Sequence, residues 1–329
     1  MSIEIHDTGS VTVKLRFVIS NMGTKKDALI SIVNGNRKGY IYDCLESIRR
    51  HTAEISYDIL VIDNCTGDQR LQEIENSGAR LIINETQKGF ADNHSQALAF
   101  MGEYRHLILF NDDAFLDNNA FRVMVDAANA GSNVAIVGSR IADPDGTPQP
   151  SAAPFPNITY FIKNVVGLDQ KPGDRYSEFF ARYIDYEATQ DVDWVSGCCM
   201  LITGEFIESF GFMDTRYFMF LEDADICRRA HSNGYRVTYR ADAKITHLGG
   251  GSSKDDKGNG QKRMMQPKLF LETQRSRLLY LRKISITSYL AYLLFINLFL
   301  PVKLCRAWFR GEREWVSTLL AELPQRPLV

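Results

Sequence analysis

Between residues 27 and 113, short and almost wholly apolar runs alternate with amphipathic stretches, and the runs end in carboxylates or amides. DALISIV leads to Asn34, YDILVI to Asp63-Asn64, Arg80–Asn84 forms a third run, and HLILF leads to Asn111-Asp112-Asp113. A strand with one wet face alternates polar and apolar residues, so continuous apolar runs indicate a sheet covered on both faces, as parallel sheets are. The intervening Tyr40–His51, with Ile41, Leu45 and Ile48 at helical spacing, Gln69–Ser77 and Gly89–Met101 read as helices. The order predicts an α/β fold, a mostly parallel Rossmann-like sheet with helices on both faces. Ligands of such sheets bind at the carboxyl ends of the strands, where Asn34, Asp63 and Asp112-Asp113 fall.

Further along, residues 143–158 hold five of the ten prolines and read as a loop crossing the surface. Asp191–Ile202 reads as one more strand, Glu205–Gly211 and Glu222–Gly234 as helices, and VTYRADAKIT as a strand ending at His247. Residues 11–20 alternate like an additional N-terminal strand.

The balance of 38 basic and 40 acidic residues gives a net charge of −2, so no general basic field recruits nucleic acid. The six cysteines contain no CxxC pair, which argues against both a zinc site and a disulfide framework. Charges run through the first thirty residues without an uninterrupted apolar core, so no signal peptide is expected and the setting is cytoplasmic.

Charge is uneven, however: residues 262–314 carry eleven Lys and Arg against three Glu. Inside that segment Ile284–Val302 is a run of 19 uncharged residues flanked by bases, with Asn297 and Pro301 interrupting it. The length is short for a spanning helix, and bases on both sides give no orientation. An interfacial or re-entrant helix pair on anionic lipid is expected, peripheral on the inner face of the cytoplasmic membrane. The competing reading is a C-terminal core helix with a solvated basic neighbour.

Four places can carry chemistry. Asp63, at a strand end, can bind a nucleobase edge or ribose hydroxyl, or simply close an Asx turn. Asn111-Asp112-Asp113 concentrates charge after a buried strand, where a hard cation such as Mg²⁺ or Mn²⁺ bridging to phosphate would be favoured; the alternative is a solvated, helix-capping loop. Glu222-Asp223-Ala224-Asp225 opens a helix, where the macrodipole favours acids anyway. The apolar lead-in YFMFL seats that turn on a hydrophobic wall, where a carboxylate can serve as general base. His247, before Gly249–Gly251, can complete a metal site or close on a phosphate, though a lone His is commonly structural.

Taken in series, SIVNGNR, LVIDN at 60–64, KGFADNHSQAL at 88–98, LILFNDDAFL at 107–116, VDWVSGCCMLI at 192–202 and GFMDTRYFMFLEDADICRRAHSNGYRV at 211–237 resemble a family 2 glycosyltransferase of the GT-A fold. The rhamnosyltransferase-like members of bacterial surface-polysaccharide (O-antigen type) biosynthesis are the best match. The resemblance spans about residues 27–285 and includes His247 with its glycines. It implies transfer of a sugar, with inversion, from a nucleotide-diphosphate donor to an acceptor hydroxyl. The donor it implies first is dTDP-rhamnose, with UDP-galactose or UDP-N-acetylglucosamine next; the acceptor is a saccharide, expected to be polyprenyl-diphosphate-linked.

Carried over by position, Asn34, Asp63 and Asn64 would line the nucleotide pocket. Asp113 and His247 would hold Mg²⁺ or Mn²⁺ with Asp112 close by. Asp223 would be the base with Glu222 supporting it, and Trp194, Ser196 and Gly197 would lie on the acceptor side. Asn111-Asp112-Asp113 stands where Asn-Pro-Asp is common, which leaves open which carboxylate reaches the metal. Val33-Asn34 stands where Tyr-Asn is usual. The organisation implied is an N-terminal extension over 1–26 and a catalytic domain over 27–261, divided into a donor half to about 115 and an acceptor half from 116. A basic-apolar helical segment over 262–329 follows and touches the membrane through 262–314. A sugar-nucleotide pyrophosphorylase would need a better phosphate loop than NGNRKG. A silent, membrane-docked nucleotide-sugar binder is the other rival.

Overall fold

The computed structural model describes residues 24–35, 39–168, 184–249 and 266–324; the expected strand at 11–20 lies outside them. Strands β1 (Lys26–Asn34), β2 (Tyr57–Asp63), β3 (Arg80–Ile83) and β4 (Tyr104–Asn111) pair in parallel in the order β3-β2-β1-β4. Their register places Asn34 opposite Asp63 and Val33 opposite Asn111, so the polar strand ends come level at one edge.

The continuous apolar runs are explained by burial on both sides. Ile30, Ile32, Val61, Ile108 and Phe110 pack on α1 (Tyr40–His51) and its neighbours. Leu29, Leu60, Ile62, Leu107 and Leu109 pack into a second cluster on the other face. Short helices α2 (Leu71–Asn76) and α3 (Phe90–Ser95) follow β2 and β3.

The second half of the sheet is mixed. β5 (Ala114–Leu116), helix α4 (Ala120–Ala130), β6 (Val134–Ala142) and β7 (Ala152–Ala153) come next, followed by α5 (Ile158–Val166). Then β8 (Gln190–Asp191), β9 (Trp194–Val195), β10 (Cys199–Thr203), α6 (Gly204–Phe210), α7 (Glu222–Ser232) and β11 (Arg236–His247) follow. β10 inserts between β4 and β6 antiparallel to both, β6 and β11 are parallel, and β11 is antiparallel to β5 with His247 opposite Ala114.

Three expectations need correction. Asp191–Ile202 is not one strand but three short ones, and the last break comes where the N–H groups of Gly197 and Cys198 leave the ladder for Asp223 and Ser196 Oγ. The α-helix expected over Gly89–Met101 ends at Ser95 and continues as a 3₁₀ helix, Gln96–Glu103. There the Ser95 hydroxyl and Gln96 amide take the carbonyls of Asp92 and Asn93, competing with the regular ladder. Within the proline-rich loop, Ser151–Ala153 is buried, with Ala152 and Ala153 paired to β9 rather than lying on the surface.

The C-terminal part comprises α8 (Pro267–Ile284), α9 (Ile286–Phe309) and α10 (Arg313–Glu322). Pro301 sits inside α9 without ending it. Tyr292, Ile296 and Leu300 pack with Phe161, Tyr280 and Leu281. The opposite side of α9 exposes Ile286, Leu290, Leu294, Leu298 and Val302, spaced by four, at 51–67%. α9 is long and apolar enough to cross a membrane, and only 17% of its most apolar 18 residues are buried.

Candidate active site

At the strand ends, Asn34 Nδ2 donates to Asp63 Oδ1 at 3.0 Å, and both residues are 1% exposed. Asp63 Oδ2 accepts the Thr66 N–H at 3.1 Å and its Oδ1 accepts the Thr66 hydroxyl, so Asp63 also shapes its own turn. Asn64 braces Lys88 from both sides, accepting its N–H (2.9 Å) and donating to its carbonyl (3.1 Å).

The next segment is tied in by a close backbone crossing. Phe90 N–H donates to Phe218 O at 2.8 Å, and a Cβ on Gly89 would stand 2.5 Å from that oxygen, so only glycine fits at 89. The KGF and YFMF motifs are thus one physical unit.

The two adjacent aspartates point to different partners. Asp112 Oδ2 accepts the Gly35 N–H at 2.7 Å, which fastens the loop after β1. Asp113 Oδ1 lies 3.0 Å from His247 Nε2, brought there by the β5–β11 pairing. Gln149 orients the imidazole, its Oε1 standing 2.8 Å from Nδ1 while its amide donates to the His247 carbonyl. Burial lowers the imidazole pKa, but Cys198 and the Asp113 carboxylate outweigh it and raise it to about 11.

Among the described residues no group of three or more His, Cys, Asp or Glu is placed to hold a metal. One carboxylate and one imidazole still fit a cation that takes the place of the proton His247 otherwise carries, its other ligands being substrate phosphates and water.

The third cluster lies at the start of α7. Phe220 and Leu221 both adopt left-handed backbone, φ 70° and 71°, which costs free energy for side chains of that size. Their turn delivers Glu222 and Asp223 to the sheet. Partly buried Asp223 accepts N–H donors from Gly197 (3.2 Å) and Ala224 (2.8 Å). Burial raises its pKa, and those donors offset part of the rise. Glu222 is 5% exposed, its Oε2 accepts no hydrogen bond among the described residues, and burial followed by the Asp223 charge pushes its carboxyl well up. The pair therefore keeps a proton on Glu222 first and leaves Asp223 as the carboxylate able to accept one.

Phe90 stands beside this carboxylate, 3.1 Å from where a Cβ on Gly197 would be, with Asp223 Cβ 3.8 Å from the same point. Of the residues expected on the acceptor side, Gly197 touches Asp223 directly. Ser196 caps the turn, and Trp194 is held by its indole N–H on Pro154 O at 3.0 Å.

Several positioning groups carried no sequence signal: Thr66, Gln149, and a clamp from α8. Lys283 Nζ lies 2.7 Å from both Asp214 and Asp225, and Ser276 Oγ donates to Met219 O at 2.9 Å. Tyr217 OH reaches Asp225 at 3.3 Å. The strained turn ahead of Asp223 is thus held from the C-terminal helix.

Among solved structures, the fold is similar to GalNAc-T7 with UDP, GalNAc and Mn²⁺ (TM-score 0.53, 12% identity, 76% of this chain and 48% of that one). It is also similar to a mannosyltransferase from Pyrobaculum calidifontis in complex with GDP-Man and Mn²⁺ (TM-score 0.50, 12% identity, 91% and 85%). At that identity the likeness concerns the GT-A fold. Two curated relatives are an N-acetylglucosaminyl-diphospho-decaprenol L-rhamnosyltransferase of Mycobacterium tuberculosis (24% identical over 201 residues, 57% of this chain) and a low-salt glycan biosynthesis hexosyltransferase of Haloferax volcanii (22% over 216 residues, 64% of this chain). The matches span 66% and 64% of those relatives' own lengths. The glycosyl transferase family 2 model matches residues 29–201, more than half of the sequence and including Asn34, Asp63, Asp113 and Gly197, and the chain belongs to that family.

Proposed function

We propose that this chain is an inverting glycosyltransferase that moves a sugar, with dTDP-rhamnose as first-choice donor, to a hydroxyl of a polyprenyl-diphosphate-linked saccharide. The observation that carries the reading is the convergence of Asn34-Asp63, Asp113-His247 and Asp223 at one end of the sheet, from segments far apart in sequence. The name of the mycobacterial relative supports the choice of sugar and of acceptor class.

Asn34 and Asp63 bind and orient the nucleoside. Asp223 takes the acceptor hydroxyl's proton as that oxygen attacks the anomeric carbon and the bond from that carbon to the diphosphate oxygen breaks. Glu222 stays protonated beside it and limits repulsion. Asp113 and His247 would hold Mg²⁺ or Mn²⁺, which when bound neutralises charge on the departing diphosphate. Residues 27–261 would form the catalytic unit and 262–329 its attached helical segment.

Calorimetry with nucleotide sugars, with and without Mn²⁺, tests the reading. Metal-dependent binding of dTDP-rhamnose in preference to UDP-galactose and UDP-N-acetylglucosamine is expected. Preference for a UDP-sugar would change the donor alone, and no binding to any member by folded protein would remove the transferase assignment of this site.

The exposed line on α9 supports a membrane-surface location. Burying a Leu or Ile fully contributes about 1.5–3 kcal/mol, so five half-exposed ones suffice for peripheral binding, and Arg282, Arg306, Arg310 and Arg313 are exposed near its two ends. Replacing Leu290, Leu294 and Leu298 together by Ser should lower co-sedimentation with phosphatidylglycerol-containing vesicles at least about tenfold. Those side chains face away from the core, so the fold should persist. Unchanged sedimentation of the triple variant would show that the line does not touch lipid.

A further inference from the structure

A polar cleft of about 260 Å³ opens between Lys88-Gly89, the 215–218 loop and the first half of α8. We infer that it holds the diphosphate of the acceptor, between the saccharide at Asp223 and the lipid. This inference rests on the lipid-diphosphate reading of the acceptor.

The first argument is position. An acceptor with its reacting hydroxyl at Asp223 and its lipid in a membrane must place its diphosphate about one sugar ring from the base, on the side from which the lipid leaves. Two residues lining the cleft relate it to the base and to the lipid side. Gly89 lines it, and the next residue, Phe90, is the ring beside Asp223. Arg275, on its other wall, belongs to the helix that leads into the exposed line starting at Ile286. Along α8 the rise from Arg275 to Ile284 is about 14 Å, and α9 begins two residues later, at Ile286, and packs back on α8 through Tyr292.

The second argument is charge. Lys88, Arg216 and Arg275 line the cleft against Asp92 and Glu272. Glu272 is 4% exposed and makes an ion pair with Arg275 at 3.6 Å, longer than a hydrogen bond. Arg216 is shared with Asp214. Lys88 is held at its backbone by Asn64 and Asn93, and its ammonium makes no ion pair among the described residues. Lys268 stands at the rim, bonded to Gln87 and over the Phe218 ring. The surplus of bases is modest and suits a dianionic diphosphate diester, with guanidinium geometry able to grip two of its oxygens.

The test uses the full chain with farnesyl diphosphate in detergent as the probe, measured by calorimetry in the presence of saturating dTDP and Mn²⁺ so that the nucleotide pocket is filled. Lys88→Gln with Arg275→Gln should weaken the probe about tenfold or more, with dTDP affinity kept within about twofold and farnesol bound far more weakly than the diphosphate. Arg275 is 45% exposed, so its loss should not unfold the chain. Unchanged affinity for farnesyl diphosphate in the double variant would overturn the assignment, as would equal binding of farnesol. An equal loss of dTDP binding would assign the cleft to the nucleotide pocket instead. If dTDP binds with Mn²⁺ but the probe does not, this inference alone falls; if neither binds, the donor reading falls with it.

Discussion

Turnover should drop by about two to four orders of magnitude on Asp223→Asn, the range that general-base catalysis commonly contributes, with Mn²⁺-dependent binding of the nucleotide sugar retained. The amide keeps the shape of the carboxyl but cannot take the hydroxyl's proton. Stability separates this outcome from misfolding. Burial raises the Asp223 pKa in the folded protein, so its ionisation costs stability, a cost present above the folded pKa and absent below the ordinary one. Against that gain, the amide can accept from only one of the Gly197 and Ala224 N–H groups, so the variant should melt within a few degrees of the parent at neutral pH. Wild-type turnover should rise with pH through the raised Asp223 titration, and the residual activity of the variant should lack that limb. Steady-state rates, calorimetry and thermal melts measured together check these points. A variant that loses donor binding but keeps its rate per bound donor would show that Asp223 is not the base.

Asp113→Ala is expected to weaken Mn²⁺-dependent donor binding by at least about 10- to 100-fold, since loss of even an outer-shell partner commonly costs that much in metal affinity. The reasoning is geometric. Asp112 already spends one oxygen on Gly35 N–H, whereas Asp113 is the carboxylate facing His247. Asp112→Asn should accordingly be milder with respect to Mn²⁺, acting through the loop after β1. Titrating Mn²⁺ into each variant with the nucleotide present distinguishes them, and full metal stimulation in Asp113→Ala would remove Asp113 from the metal's ligands.

What sequence could reveal here follows from the range of the forces involved. β1 through β4 were legible because burial on both faces leaves a local imprint, and their polar ends were legible because a run of aliphatics cannot hide an Asp or Asn. Asn34 and Asp63 accordingly meet as the strand ends suggested. Insertion of β10 antiparallel to β4 and β6 left no such mark, since strand order is settled by pairing across the chain. The break at Ser196-Gly197 depends on a carboxylate 26 residues away. Gln149, between two prolines in a loop, becomes meaningful only once β11 brings His247 beside it. α9 is apolar nearly all round, so its sequence could not say which side would be covered; packing against Phe161 and Tyr280 decides that.

The contacts of Ser276 and Lys283 make the last helices more than a tether. One stretch of chain both presents the aliphatic line and holds the turn that leads into Asp223. On the proposed reading, lipid contact and base positioning share one segment. A truncation before Pro267, attractive as a way to obtain a tractable soluble fragment, would remove the hold on two left-handed residues and leave a domain that binds nucleotide better than it transfers sugar. On the same reading, a replacement for this segment would have to supply equivalents of the Ser276 and Lys283 contacts.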